Sequence, residues 1–285
     1  MSVEHYENFP VASILLPAHL RPAVATIYHF ARSADDIADE GEFSDQQRLV
    51  QLQNYQNNIN TIAANLAGDR SEHSNSFPAE LEPLFLPLQK VIQQHQLPIS
   101  AFSDLLSAFQ QDVVCKRYQR YADLLDYCAR SANPVGLLML HLYRAATPEN
   151  IQASNAICSA LQLINFCQDV AIDSAKQRIY LPLEDLQQFA ISPDEIALAC
   201  HNNKIPANWS ALMQFECQRA RHLMLDGASL CKRLPGRIDW ELRLVVQGGL
   251  RILEKIQQVD GNVFQHRPVL NKADWLLLAY RALRM

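Results

Sequence analysis

Glycine is scarce in this 285-residue chain, eight residues in all, well under the usual frequency of about 7%. Long stretches therefore lack turn signals, and apolar residues recur at spacings of three and four, which excludes a turn-dense β fold and favours helices. Positive charge is not in excess either. The net charge is -5, and without a basic stripe to neutralise phosphates a nucleic-acid partner is excluded. An anionic ligand held by a few local arginines stays open. There is no C-x-x-C among the seven cysteines, Cys115, Cys128, Cys158, Cys167, Cys200, Cys217 and Cys231. Their odd number and their placement inside helical pattern read as reduced core thiols of a cytoplasmic protein, not as a zinc site or disulfide framework. No run approaches the roughly 18 apolar residues of a membrane span, and "MSVEHYENFP" has no signal-peptide core. A soluble protein is expected, with peripheral membrane contact left open.

What the chain does have is proline at the joints, as in "LPAHLRP", "FPAELEP", "ATPEN", "ISPDE" and "RLPGR", where helices start or stop. The spacing predicts helices over about 18–40, 44–67, 79–95, 98–114, 121–144, 148–174, 192–201, 207–233, 236–258 and 271–284, with a polar linker near 67–78. No strand pattern alternates with these helices and no period repeats. One all-α domain over residues 1–285 is the expected organisation.

Charged residues make up only 19% of the chain, yet "SADDIADE" places Asp35, Asp36, Asp39 and Glu40 together after the apolar run "AVATIYHFAR". A second acidic pair, Asp169 and Asp173, follows the nearly uncharged "SNAICSALQLINFCQ". Four residues advance a helix by about 400°, so Asp35 with Asp39 and Asp169 with Asp173 form two matched i,i+4 claws. Gln162 and Asn165 lie seven and four residues before Asp169 and extend its polar stripe. A lone acidic cluster reads most simply as a solvated helix end. Two of them on apolar helices are costly unless cations neutralise them. Magnesium fits best, because it takes oxygen ligands, keeps waters and is bound by one or two carboxylates together with substrate phosphates. The absence of Glu-x-x-His disfavours a di-iron bundle.

The segments "YHFARSADDIADE" and "LQLINFCQDVAIDSAKQRIYLP" resemble the two aspartate-rich motifs of the head-to-head prenyl synthases, the family of squalene, dehydrosqualene, phytoene and hydroxysqualene synthases. The resemblance runs from "HYENFPVAS" to "NVFQHRP". It implies an all-helical isoprenoid-synthase bundle whose central cavity binds prenyl diphosphates, with Mg²⁺ on Asp35, Asp39, Asp169 and Asp173 and with Asp36 in the same catalytic motif. Tyr28 and Tyr127 resemble cavity tyrosines whose rings face a carbocation, although core or rim tyrosines have the same sequence appearance. Arg32, Arg178 and Arg267 resemble diphosphate-binding arginines, with an intrahelical salt bridge as the plainer reading of Arg32. His5 and Asn8 match an N-terminal substrate-contacting segment.

Three departures accompany the match. Gln168 stands where many relatives have Arg, "SANPVG" replaces a Gly-rich kink, and "GG" at 248 and 249 replaces an expected tyrosine. Pro134 should break the middle helix, either as a simple kink or so that Asn133 and the freed carbonyl hold a water. Among the family, "NFPVAS", "SADDIADEG" and "SANPVG" resemble most the hydroxysqualene synthases of bacterial hopanoid pathways. Those enzymes take presqualene diphosphate, which implies partnership with a presqualene diphosphate synthase. Synthases making squalene, dehydrosqualene or phytoene from farnesyl diphosphate or a longer allylic diphosphate are the rival reading. A non-catalytic helical partner protein is the other, and the intact acids argue against it.

Overall fold

The computed structural model describes residues 16–68, 76–202 and 204–285. The expected contacts His5 and Asn8, and most of the expected linker, lie outside those residues. Thirteen α-helices are described: α1 (Arg21–Asp39), α2 (Asp45–Ala67), α3 (Glu82–His95), α4 (Ile99–Val114), α5 (Tyr121–Ser131), α6 (Asn133–Leu142), α7 (Pro148–Gln168), α8 (Val170–Ala175), α9 (Leu183–Gln188), α10 (Pro193–Asn202), α11 (Trp209–Gly227), α12 (Arg237–Gln258) and α13 (Lys272–Arg284). A 3₁₀ turn, Ala228–Lys232, follows α11. The only strand-like pairing among the described residues is an isolated parallel bridge between Arg117 and Ile179. The chain is all-α.

Two long helices predicted from spacing are interrupted. The stretch 121–144 divides at Ala132 into α5 and α6, because Pro134 has no N–H to continue the ladder and its ring crowds the carbonyl four residues back. The stretch 148–174 is interrupted at Asp169, whose φ of -104° and ψ of 15° leave helical geometry. Hydrogen bonds from Asp169 N–H to Asn165 C=O (2.8 Å) and from Asp173 N–H to Asp169 C=O (2.9 Å) nonetheless cross the break. The i,i+4 relation of Asp169 and Asp173 survives. The six-residue α9 is too short for periodicity to announce.

The helices form two compact units, Met1–Cys115 with Arg130–Ile151, and Lys116–Ala129 with Gln152–Met285. In the first unit α1 supplies Val24, Ile27, Phe30 and Ala34 to the core. Phe30 sits edge-on to Phe85 and Phe102, with ring centroids 6.0 and 5.5 Å away, an arrangement worth about 0.5–1.5 kcal/mol per pair beyond burial. α2 starts at a capping box between Ser44 and Gln47, and stops at Gly68 with φ 75°, where a left-handed cap favours glycine.

In the second unit the end of α11 lies against α7. A Cβ on Gly227 would come within 2.5 Å of the Ala153 carbonyl oxygen and 2.6 Å of Ile157 Cγ1. A Cβ on Gly249 would meet Met224 Cε at 2.8 Å and Ile164 Cδ1 at 3.1 Å. The place where a tyrosine was expected is therefore filled from α7 and α11. Trp209 is fully buried, and its Nε1–H donates to the Gly261 carbonyl at 2.7 Å, tying α11 to the segment after α12.

These spacings separate two glycines of similar burial. Gly227→Ala must displace backbone and should lower unfolding free energy by about 1–3 kcal/mol. Gly248 has only Leu270 Cδ1 near, at 3.7 Å, so Gly248→Ala should be neutral or stabilise by up to about 1 kcal/mol. Urea unfolding of both variants checks the contrast, and equal effects would contradict the packing described.

Candidate active site

In the first unit, four carboxylates stand at the C-terminal end of α1, where the helix dipole already carries partial negative charge. Two arginines offset them. Arg32 lies 2.7 Å from Asp36, 2.8 Å from Glu40 and 3.4 Å from Asp35. Arg48 reaches from α2 and donates to the carbonyls of Ile37 (2.7 Å), Glu40 (2.8 Å), Gly41 (2.7 Å) and Phe43 (3.2 Å). The carbonyls that a helix end leaves orphaned thus receive a cation. Sequence reasoning missed Arg48, since nothing in "SDQQR" points to a cap for a different helix.

Asp35 is a half-buried member of this cluster with a large shift in its titration. Burial pushes its carboxyl up to about 7, with Asp39 and then Asp112 adding to the rise and Arg32 opposing it. Asp36 is raised as well, by burial first, with Arg32 opposing. Asp112 is a buried residue of α4, and the sequence reading passed over it in "FQQDVV". Tyr28, one turn before Arg32, packs half-buried against the same core. Asn133 opens α6, half-buried, just before Pro134.

In the second unit α7 carries Gln162 and Asn165 on its half-buried side and ends at Gln168. The Asp169 carboxylate is clasped by Arg267, Nε donating to Oδ1 and an Nη donating to Oδ2 at 3.2 Å. Gln168 is buried and donates its amide to the Pro268 carbonyl. The residue that replaces an expected arginine therefore staples the Arg267 segment to the helix break. Arg178 is buried and its N–H donates to the Asp173 carbonyl at 2.9 Å. Phe166, Val170, Asp173, Arg178 and Tyr180 line one small cleft.

Tyr127 is buried in an aromatic cluster that the sequence disclosed only in part. Its ring centroid is 5.3 Å from Tyr118, 6.0 Å from Tyr180 and 6.2 Å from Phe166, and the Phe166 and Tyr180 rings stack at 4.0 Å. The segment 116–119 holds the "RIYLP" stretch by backbone bonds, Ile179 N–H to Lys116 C=O at 3.0 Å and Leu183 N–H to Tyr118 C=O at 2.9 Å. Tyr118 and Tyr180 had no periodic signal because neither lies in a helix.

The donor chemistry suits a hard divalent cation. Each claw offers only carboxylate oxygens, and the Asp35 carboxyl is raised by burial first and by Asp39 after it. No three His, Cys, Asp or Glu side chains among the described residues converge into a ready-made cage.

The sign of the Asp35 effect follows from linkage. A carboxyl raised from 3.8 to about 7 is protonated on folding, so its contribution is present at low pH and lost as pH climbs towards 7. Asp35→Asn should therefore stabilise the metal-free protein by about 1–2 kcal/mol near pH 8 relative to its effect near pH 5. Urea unfolding at both pH values measures it, and a pH-independent difference would refute the assignment.

The family model described as squalene/phytoene synthase matches residues 3–274. The chain is 35% identical over 185 residues to a hydroxysqualene synthase of Zymomonas mobilis, covering 64% of this chain and 56% of that one. It is 30% identical over 256 residues to the hydroxysqualene synthase of Rhodopseudomonas palustris, covering 89% and 80%. A phytoene synthase of Arthrospira platensis is 26% identical over 280 residues, covering 94% and 85%. Among solved structures, squalene synthase HpnC from Alicyclobacillus acidocaldarius superposes with a TM-score of 0.78 at 33% identity over 90% of both chains. With paired aspartate claws on apolar helices and a family match over nearly its whole length, the chain belongs to the squalene/phytoene synthase family.

Proposed function

We propose that this protein ionises presqualene diphosphate in the presence of Mg²⁺ and quenches the cation with water, giving hydroxysqualene and diphosphate for hopanoid biosynthesis. The observation that carries the reading is the pair of i,i+4 carboxylate claws, one in each unit, on otherwise apolar helices. Asp35 and Asp39, and Asp169 and Asp173, would hold magnesium, which when bound supplies positive charge to a leaving diphosphate. Asp36, paired with Arg32, keeps that arginine directed along the claw. Arg32, Arg178 and Arg267 bind diphosphate oxygens, for which the guanidinium fork is suited. Gln162 and Asn165 add hydrogen bonds from the α7 stripe, and His5 and Asn8 extend the substrate contact. Arg267 pairs with Asp169, so an incoming diphosphate shares a cation already in place.

The Tyr28 and Tyr127 rings stabilise the hydrocarbon cation by about 0.5–2 kcal/mol each. Asn133, at the helix break before Pro134, holds the water. That water adds its oxygen to carbon and releases one proton, so the product is an alcohol and no hydride donor takes part. The hydroxysqualene synthases at 30% and 35% identity support this outcome. A second reading, a synthase joining two allylic diphosphates to squalene, dehydrosqualene or phytoene, is favoured by the phytoene synthase match over 94% of the chain. In the first reading a separate presqualene diphosphate synthase supplies the substrate.

The deciding experiment feeds presqualene diphosphate and farnesyl diphosphate separately, with Mg²⁺ and without nicotinamide, in ¹⁸O-labelled water. An alcohol carrying one solvent oxygen, formed from presqualene diphosphate, is expected; a hydrocarbon without it transfers the assignment to the second reading. Asn133→Gly with Pro134→Thr should shift the product towards hydrocarbon. Singly replacing Asp35, Asp39, Asp169 or Asp173 by Asn should lower turnover at least about 10²-fold, and excess chelator should abolish it. Near-normal turnover by Asp169→Asn would remove the metal role of the second claw.

A further inference from the structure

The last helix, α13, is buried on one side only. Asp274, Leu278 and Ala282, at i, i+4 and i+8, face α12, and Asp274 is locked there by Arg251 at 2.7 Å and Lys255 at 2.5 Å. On the outer side Trp275 is 54% exposed, Leu276 77%, Tyr280 50% and Leu283 67%. Leu276, Tyr280 and Leu283 follow i, i+4, i+7, so they form one continuous apolar stripe. Trp240 on α12 is exposed as well. Scattered exposed apolar residues are ordinary, but a stripe of this kind on one helix marks an interaction surface.

Charge identifies the partner. Residues 228–285 carry ten Lys and Arg against five Asp and Glu, a net +5, leaving -10 for the rest of a chain whose total is -5. The acids of this segment are largely withdrawn from the surface. Asp239 pairs with Arg243, Glu254 with Arg251 and Arg281, Asp274 with Arg251 and Lys255, and Glu241 is buried. Lys272 and Arg284 are exposed, one turn before Leu276 and one turn after Tyr280, so cations bracket the stripe. Arg284 lies over the Tyr280 ring at 4.5 Å. No described helix is long and apolar enough to cross a membrane.

We infer that the outer face of α13, with its flanking cations, is a docking surface for an anionic lipid bilayer. Trp275, Leu276, Tyr280 and Leu283 enter the headgroup boundary while Lys272 and Arg284 meet lipid phosphates, the arrangement of a helix lying in the interface plane. Trp and Tyr beside Leu suit a protein interface as well; cations bracketing the stripe at both ends, with no exposed cation inside it, favour the phosphate plane of a bilayer. A second copy of the chain would bring the same positive charge to the contact. The inference concerns where the protein works and stands whichever product it makes.

The test is co-sedimentation with vesicles of phosphatidylcholine alone or with about one-third phosphatidylglycerol. Binding at least about tenfold tighter to the anionic vesicles, and weakened by salt, is expected. Leu276→Ser with Leu283→Ser, and separately Lys272→Glu with Arg284→Glu, should each reduce it at least about tenfold. In the unaltered protein, brominated lipid should quench tryptophan fluorescence, and Trp275→Phe should remove most of that quenching. No anionic preference, or quenching unchanged by Trp275→Phe, overturns the inference. So does a dimer in solution that the Leu276→Ser, Leu283→Ser variant dissociates, which assigns the face to a second copy.

Discussion

Carboxylates on apolar helices are the constraint around which this molecule is arranged. Burying an ionised group without a partner costs several kcal/mol or shifts it to the neutral form. Each unit meets that cost with arginine. At the end of α1, Arg32 pairs with three acids and Arg48 caps the helix carbonyls. At the α7 break, Arg267 clasps Asp169. The compensation is incomplete at Asp35, whose carboxyl stays high chiefly because it is desolvated, with Asp39 and Asp112 adding to the rise and Arg32 opposing it.

Around the second claw, distant segments are tied together by hydrogen bonds and ring packing. Gln168 ties the helix break to Pro268, and segment 116–119 ties "RIYLP" in place by backbone bonds. The rings of Tyr118, Tyr127, Phe166 and Tyr180 then pack as a single cluster. A buried acid pair elsewhere in the unit, Asp185 and Glu216, is held by Arg219 at 2.5 and 3.6 Å. Burial pushes Glu216 up to about 8, with Asp185 contributing. That cluster repeats the same physics as an internal clasp between α9 and α11.

The C-terminal layer shows a division of labour within single helices. The inner side of α13 spends its one acid on two cations of α12, whereas the outer side is apolar and edged with positive charge. Within one chain, residues 228–285 are net positive while the rest is net negative.

By itself the sequence determined the helical class, the two i,i+4 claws and the break at Pro134. Each of these is local: scarcity of glycine, spacing along a helix, and a proline that cannot donate act within a few residues. Family resemblance in the two motifs was legible for the same reason. Only the tertiary structure decided that Arg267 meets Asp169, 98 residues earlier in the chain, that Arg48 caps a different helix, and that Asp112 joins Asp35. It also decided that Gln168 turns to a distant carbonyl and that Met224 and Ile164 fill the space beside Gly249. "WLLLAYRALRM" reads as an amphipathic helix either way; periodicity reports that apolar residues share a face, and only packing decides whether another element covers it.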